Sequence, residues 1–94
     1  SDNIRDFFNP FGSGDIRHIA SLLCYLQAFF TDEEAAQLWD MITYGGARVV
    51  SDRAYGVYAG APADLTLFDS SDIRELLAAQ SGPTALIRAG KRLF

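Results

Sequence analysis

Two carboxylates, two amides and three aromatic rings crowd the opening segment Ser1-Asp2-Asn3-Ile4-Arg5-Asp6-Phe7-Phe8-Asn9-Pro10-Phe11-Gly12. An aspartate can ligate a divalent cation or carry a proton, and an amide can both donate to and accept from a polar group on a bound ring. Each residue also has an ordinary reading: Asp2 as a frayed terminal residue, Asn3 as a turn former, Phe8 as a core aromatic and Asp6 as a hydrogen-bond acceptor that braces the loop. One carboxylate does not hold a catalytic divalent ion, because such sites need about three protein ligands. His18 is the only histidine, in a helical stretch where a surface or interface role is expected. Cys24, the only cysteine, lies in an apolar run and reads as a buried inert thiol, which excludes an internal disulfide and a cysteine zinc cluster.

The elements that must position these groups follow from periodicity. The polar cluster comes before any element of its own, and an aromatic loop closed by Pro10 and Gly12 follows it. That order reads as the top of a strand-to-loop junction whose strand lies outside the chain. Asp15 then caps a helix from Ile16, with Ile16, Ile19, Ala20, Leu23, Leu26 and Phe30 at helical spacing and Leu22 and Phe29 widening the stripe. A helix apolar over so much of its circumference is expected to be covered on more than one side. Thr31 and Glu34 form a capping-box signature, after which Ala35, Leu38, Trp39 and Ile42 mark the buried face of a second helix. Thr43 to Val50 reads as a third short helical segment, weakened by Gly45 and Gly46.

The second half changes character. Tyr55 to Asp64 is loop, Leu65-Thr66-Leu67-Phe68 a short strand, and Ser71 to Ala79 a capped helical turn or two. Thr84 to Arg88 and Arg92 to Phe94 form two strand-like runs around Ala89-Gly90-Lys91, a hairpin with glycine where a positive φ is cheap. Three such strands are too few for a self-sufficient sheet, so at least one edge is expected to pair with chain lying elsewhere.

Composition narrows the class. The chain has 94 residues, of which 49% are hydrophobic, a globular level that predicts one small domain at most with a modest core. The net charge of −4 and the absence of a dense basic patch argue against nucleic acid as a partner. No apolar run is long enough to span a membrane and no leader opens the chain, so a cytoplasmic protein without a membrane partner is expected.

Several stretches together resemble the metal-dependent amidohydrolases, in the branch of cytosine deaminase and the triazine-ring amidohydrolases. The opening Ser1 to Asp6 with Asn9-Pro10-Phe11-Gly12 is similar to the loop after their eighth barrel strand. Thr43 to Val50 is similar to the helix that closes their barrel, and Tyr55-Gly56-Val57 with Gly60 to Leu65 to the return segment that enters their small β-sandwich. Leu86-Ile87-Arg88-Ala89-Gly90-Lys91 looks like their terminal hairpin. The order and spacing of these motifs carry the resemblance, since none is specific alone.

The resemblance implies an α+β fragment: the C-terminal helices of an amidohydrolase-type (β/α)8 barrel in residues 1–53, then a few strands of the small β-sandwich in residues 54–94. It implies a hydrolytic deamination of a pyrimidine- or triazine-like ring that depends on a divalent metal, zinc or iron. Asp2 would be a metal ligand and the catalytic proton acceptor, passing the proton from metal-bound water to the departing nitrogen. Asn3 would lie beside the ring and Phe8 would cover it. The family's other metal ligands are histidines on earlier strands, and His18 cannot replace them. The isolated chain is therefore expected to be inactive, with the remaining barrel and sandwich as its partner and a homo-oligomer unsurprising. The alternative is an independent small α+β protein-interaction domain without catalytic activity, supported by its well-capped helical pair.

Overall fold

The computed structural model describes residues 4–94. Its helical part begins with α1 (Ile16–Gln27), started by Asp15, whose side chain accepts from the Arg17 N–H. Ala28 ends it in the left-handed conformation at φ 54°, with its N–H on the Cys24 carbonyl. The predicted capping box starts α2 (Asp32–Asp40): the Thr31 hydroxyl accepts from the Glu34 N–H at 3.2 Å, and the Glu34 carboxylate accepts from the Thr31 and Phe30 N–H groups at 3.0 and 2.8 Å. Such caps contribute about 1 kcal/mol each.

The third short helical segment expected over Thr43 to Val50 is present and continues α2 directly. A π-helical turn, Met41–Gly45, joins α2 to α3 (Gly46–Val49) without a break. Two residues explain the widened turn. The Thr43 hydroxyl donates to the Trp39 carbonyl at 2.6 Å, inside the helical ladder. Gly45 lies so close to the Asp40 carbonyl that a Cβ there would approach it to 3.2 Å.

The strands β1 (Leu65–Leu67), β2 (Ala85–Arg88) and β3 (Lys91–Arg92) make one antiparallel sheet in that order, with Leu65 opposite Ile87 and Ile87 opposite Arg92. Between β2 and β3 only Ala89 and Gly90 turn the chain, both at positive φ, the geometry whose twist suits a two-residue hairpin. Pairing runs past β3, since the Leu93 N–H reaches the Leu86 carbonyl at 2.7 Å. Among the described residues no further strand joins the outer edges of β1 or β3.

Between β1 and β2, α4 (Ile73–Ala79) turns back onto the helices and packs against α1 and α2. Its Leu77 completes the core with Ala20, Ala35 and Leu38, the last 1% exposed, while Leu23, Cys24, Phe29 and Trp39 pack around them. Residues on both sides of position 54 thus share one hydrophobic cluster. Among the described residues no helix is long and apolar enough to cross a membrane.

Candidate functional site

The best-defined polar constellation near the predicted site is the loop over residues 4–12. Asp6 Oδ1 accepts from the N–H groups of Phe8 and Asn9, both at 2.9 Å, and the Asp6 N–H donates to the Asn9 carbonyl at 2.9 Å. The Arg5 N–H closes the loop on the Phe11 carbonyl at 3.1 Å, and Asn9 Oδ1 accepts from the Phe11 N–H at 3.1 Å. Gly12 ends it at φ 100°, where a Cβ would come within 3.3 Å of the Ile4 side chain. Asp6 is thus a brace, as its position in the turn predicted.

On this frame stand three rings. Phe8 is 81% exposed, so it belongs to no core among the described residues, and Phe7 meets it edge to face at 5.6 Å. Phe11 is exposed as well. A ring presented this way can stack on a flat ligand or be covered by another protein surface.

Asp2 and Asn3, the predicted metal ligand and ring contact, lie outside the described residues. His18 is exposed on α1, and Cys24 is half-buried against the helical core. Among the described residues no three His, Cys, Asp or Glu side chains converge as a metal site would require. The residues described therefore do not by themselves fit a catalytic divalent ion.

A shallow cleft of about 300 Å³ lies elsewhere, bounded by Asp32, Ala35 and the start of α4. Its charged groups are already engaged: Arg74 pairs with Asp32 at 3.1 Å and Asp72 accepts from the Arg74 N–H at 2.9 Å.

Two braces were not legible as such. Arg17, 6% exposed, grips the Asp15 carboxylate through Nε and Nη2, donates from Nη1 to the Ser81 carbonyl at 2.8 Å, and lies 4.6 Å from the Phe68 ring centre. It ties the start of α1 to the segments that follow β1 and α4. The guanidinium holds the Asp15 carboxyl below its ordinary value, outweighing the opposing effect of burial. Asp64, in the Gly60 to Leu65 return segment, accepts from the Ala89 N–H at 2.6 Å and pairs with Arg88 at 3.6 Å. The Gly90 N–H reaches the Ala63 carbonyl at 3.0 Å. The motif before β1 and the hairpin turn after β2 are thus one hydrogen-bonded unit, a physical reason for their appearing together.

Known proteins match the chain over nearly its whole extent. It is 35% identical over 92 residues to the N-isopropylammelide isopropyl amidohydrolase of Pseudomonas sp. (strain ADP), covering 97% of this chain. The crystal structure of N-isopropylammelide isopropylaminohydrolase from Burkholderia multivorans superposes with a TM-score of 0.88 at 30% identity over 96% of the chain. The chain is homologous to part of an amidohydrolase. The 5-methylcytosine deaminase of Klebsiella pneumoniae, crystallised with phosphonocytosine, is 26% identical with a TM-score of 0.87 over 99% of the chain. The chain spans 23% of the length of each of these three relatives. No family model matches it.

Proposed function

We propose that the chain is the C-terminal portion of a metal-dependent amidohydrolase that deaminates a pyrimidine- or triazine-like ring. The observation that carries this reading is the shared fold and sequence with enzymes of N-isopropylammelide and of 5-methylcytosine, two ring substrates that lose an amine or ammonia. On this reading residues 1–53 supply the end of the barrel and residues 54–94 part of the small β-sandwich. Exposed Ile19, Leu22 and Leu26 on α1 then face other parts of the enzyme.

Asp2 is the residue assigned to the chemistry. It would hold a divalent metal, zinc or iron, jointly with ligands from outside this chain, the metal supplying an activated water when bound. The role of the carboxylate itself is to take a proton and return it to the departing nitrogen. Asn3 would bond the polar edge of the ring and Phe8 would cover its face. In the full-length protein, Asp2→Ala is expected to abolish release of ammonia or amine from 5-methylcytosine or N-isopropylammelide while the fold, read by circular dichroism, stays intact. Retained turnover removes Asp2 from the mechanism. The 94-residue chain alone is expected to be inactive, to bind dyes for apolar surface and to lack a cooperative unfolding transition. A compact monomer with a sharp transition would instead favour an independent domain.

A further inference from the structure

We infer that Asp6 is a positioning residue that aims the Phe8 ring at the substrate. The inference rests on the reading that Phe8 covers a ring, and adds the device that holds it there. With the Phe8 ring 81% exposed, burial within this chain cannot fix its direction. Its backbone is fixed instead, because its own N–H and the next one along both donate to the same Asp6 oxygen at 2.9 Å. Cross-loop bonds from Arg5 to Phe11 and from Asp6 to Asn9 close the frame on either side. Phe7, edge-on at 5.6 Å, then supports one side of the Phe8 ring. Such an arrangement orders the ring before a ligand arrives, so that binding does not bear the cost of ordering it.

The acceptor oxygen is what this role needs, not the charge. In the full-length protein Asp6→Asn keeps an Oδ1 acceptor and is expected to behave as the unmutated protein does. Asp6→Ala removes the acceptor, and KM for 5-methylcytosine or N-isopropylammelide should rise roughly tenfold with kcat within about twofold, the mark of lost ring binding. Phe8→Ala should raise KM by a similar factor, and Asp6→Ala added to Phe8→Ala should change little more. Full additivity of the two changes, or an Asp6→Asn protein as impaired as Asp6→Ala, overturns the inference.

A second measurement does not need turnover. With 4-fluorophenylalanine at position 8, the fluorine resonance should be displaced from that of the free amino acid by the neighbouring Phe7 ring in both the unmutated and Asp6→Asn proteins. It should move towards the free value in Asp6→Ala. If the unmutated protein processes neither ring, the proposed function falls while this resonance still decides whether Asp6 holds Phe8. An unchanged resonance in Asp6→Ala overturns the inference whatever the activity.

Discussion

The helical cluster and the three-stranded sheet are built on different principles. Ala20, Ala35, Leu38 and Leu77, each at most 4% exposed, come from three helices and exclude water from one another. The sheet contributes only Ala85 to the buried set, at 9%, and leaves Leu67 and Leu93 at 44% and 56%. Its order comes from backbone pairing, the Ala89-Gly90 turn and the Asp64 bond across it. The helices hold by packing and the sheet by hydrogen bonds, so the two should fail to different perturbations.

The largest contrast is expected from apolar truncation. Leu38→Ala should lower the protection of the α1, α2 and α4 amides in hydrogen exchange of the full-length protein by about 3 kcal/mol, the usual cost of a buried leucine cavity. The half-exposed Leu67 of β1 should cost under about 1 kcal/mol on the same change within this chain. A larger loss at Leu67 than at Leu38 would mean that the sheet has a cover supplied from elsewhere and that the difference between the two regions belongs only to this chain.

Next comes the link between them. Asp15→Ala removes both the α1 cap and the carboxylate that satisfies buried Arg17. The expected cost is roughly 2 to 4 kcal/mol, because a guanidinium left without its partner in a buried place is penalised beyond the lost cap. Exchange should quicken at the start of α1 and around Ser81 together. Faster exchange at α1 alone would show that Arg17 does not join the two regions.

The same division explains what could be read from the chain in advance. Caps at Asp15 and Thr31 are local signals, each made by a side chain within three residues of the backbone it serves, and both appear where they were expected, while of the serine and aspartate that open the last helix Asp72 supplies the cap. The hairpin was visible for a similar reason, although its turn takes two residues and Lys91 already lies in the strand. The π turn was not, because its cause is a competition between the Thr43 hydroxyl and the ladder that leaves no mark on apolar periodicity. Arg17 and Asp64 were missed as braces since their partners Ser81 and Ala89 lie 64 and 25 residues away. The site divides likewise. Asp6 was legible as a loop acceptor from spacing alone, whereas the exposure of Phe8 depends on everything that does not pack against it.

A smaller effect should be confined to the sheet. Asp64→Ala deletes one acceptor at the hairpin turn and is expected to cost about 1 kcal/mol, felt at Ala89 and along β2 and β3 but not in α2. Asp64→Asn retains an acceptor for the Ala89 N–H and should recover most of the loss, since the exposed pair with Arg88 contributes little. Equal losses in the two variants would transfer the effect to the charge.

Acidification should reveal the smallest difference, and its sign is fixed. The Arg17 guanidinium keeps Asp15 below the ordinary aspartate value of 3.8, and the Thr31 N–H chiefly keeps Glu34 below the ordinary glutamate value of 4.5. A carboxylate whose folded value is depressed stabilises the fold above its unfolded value, and that contribution disappears as pH falls through the folded one. Both groups cap helices, so protection of the first turns of α1 and α2 should decline as pH drops from about 5 towards 3. Asp15→Asn should flatten the decline at α1 while leaving that at α2 in place. A decline of the same size in α1 with and without Asp15 would assign the acid sensitivity to some other group and leave helix capping without a part in it.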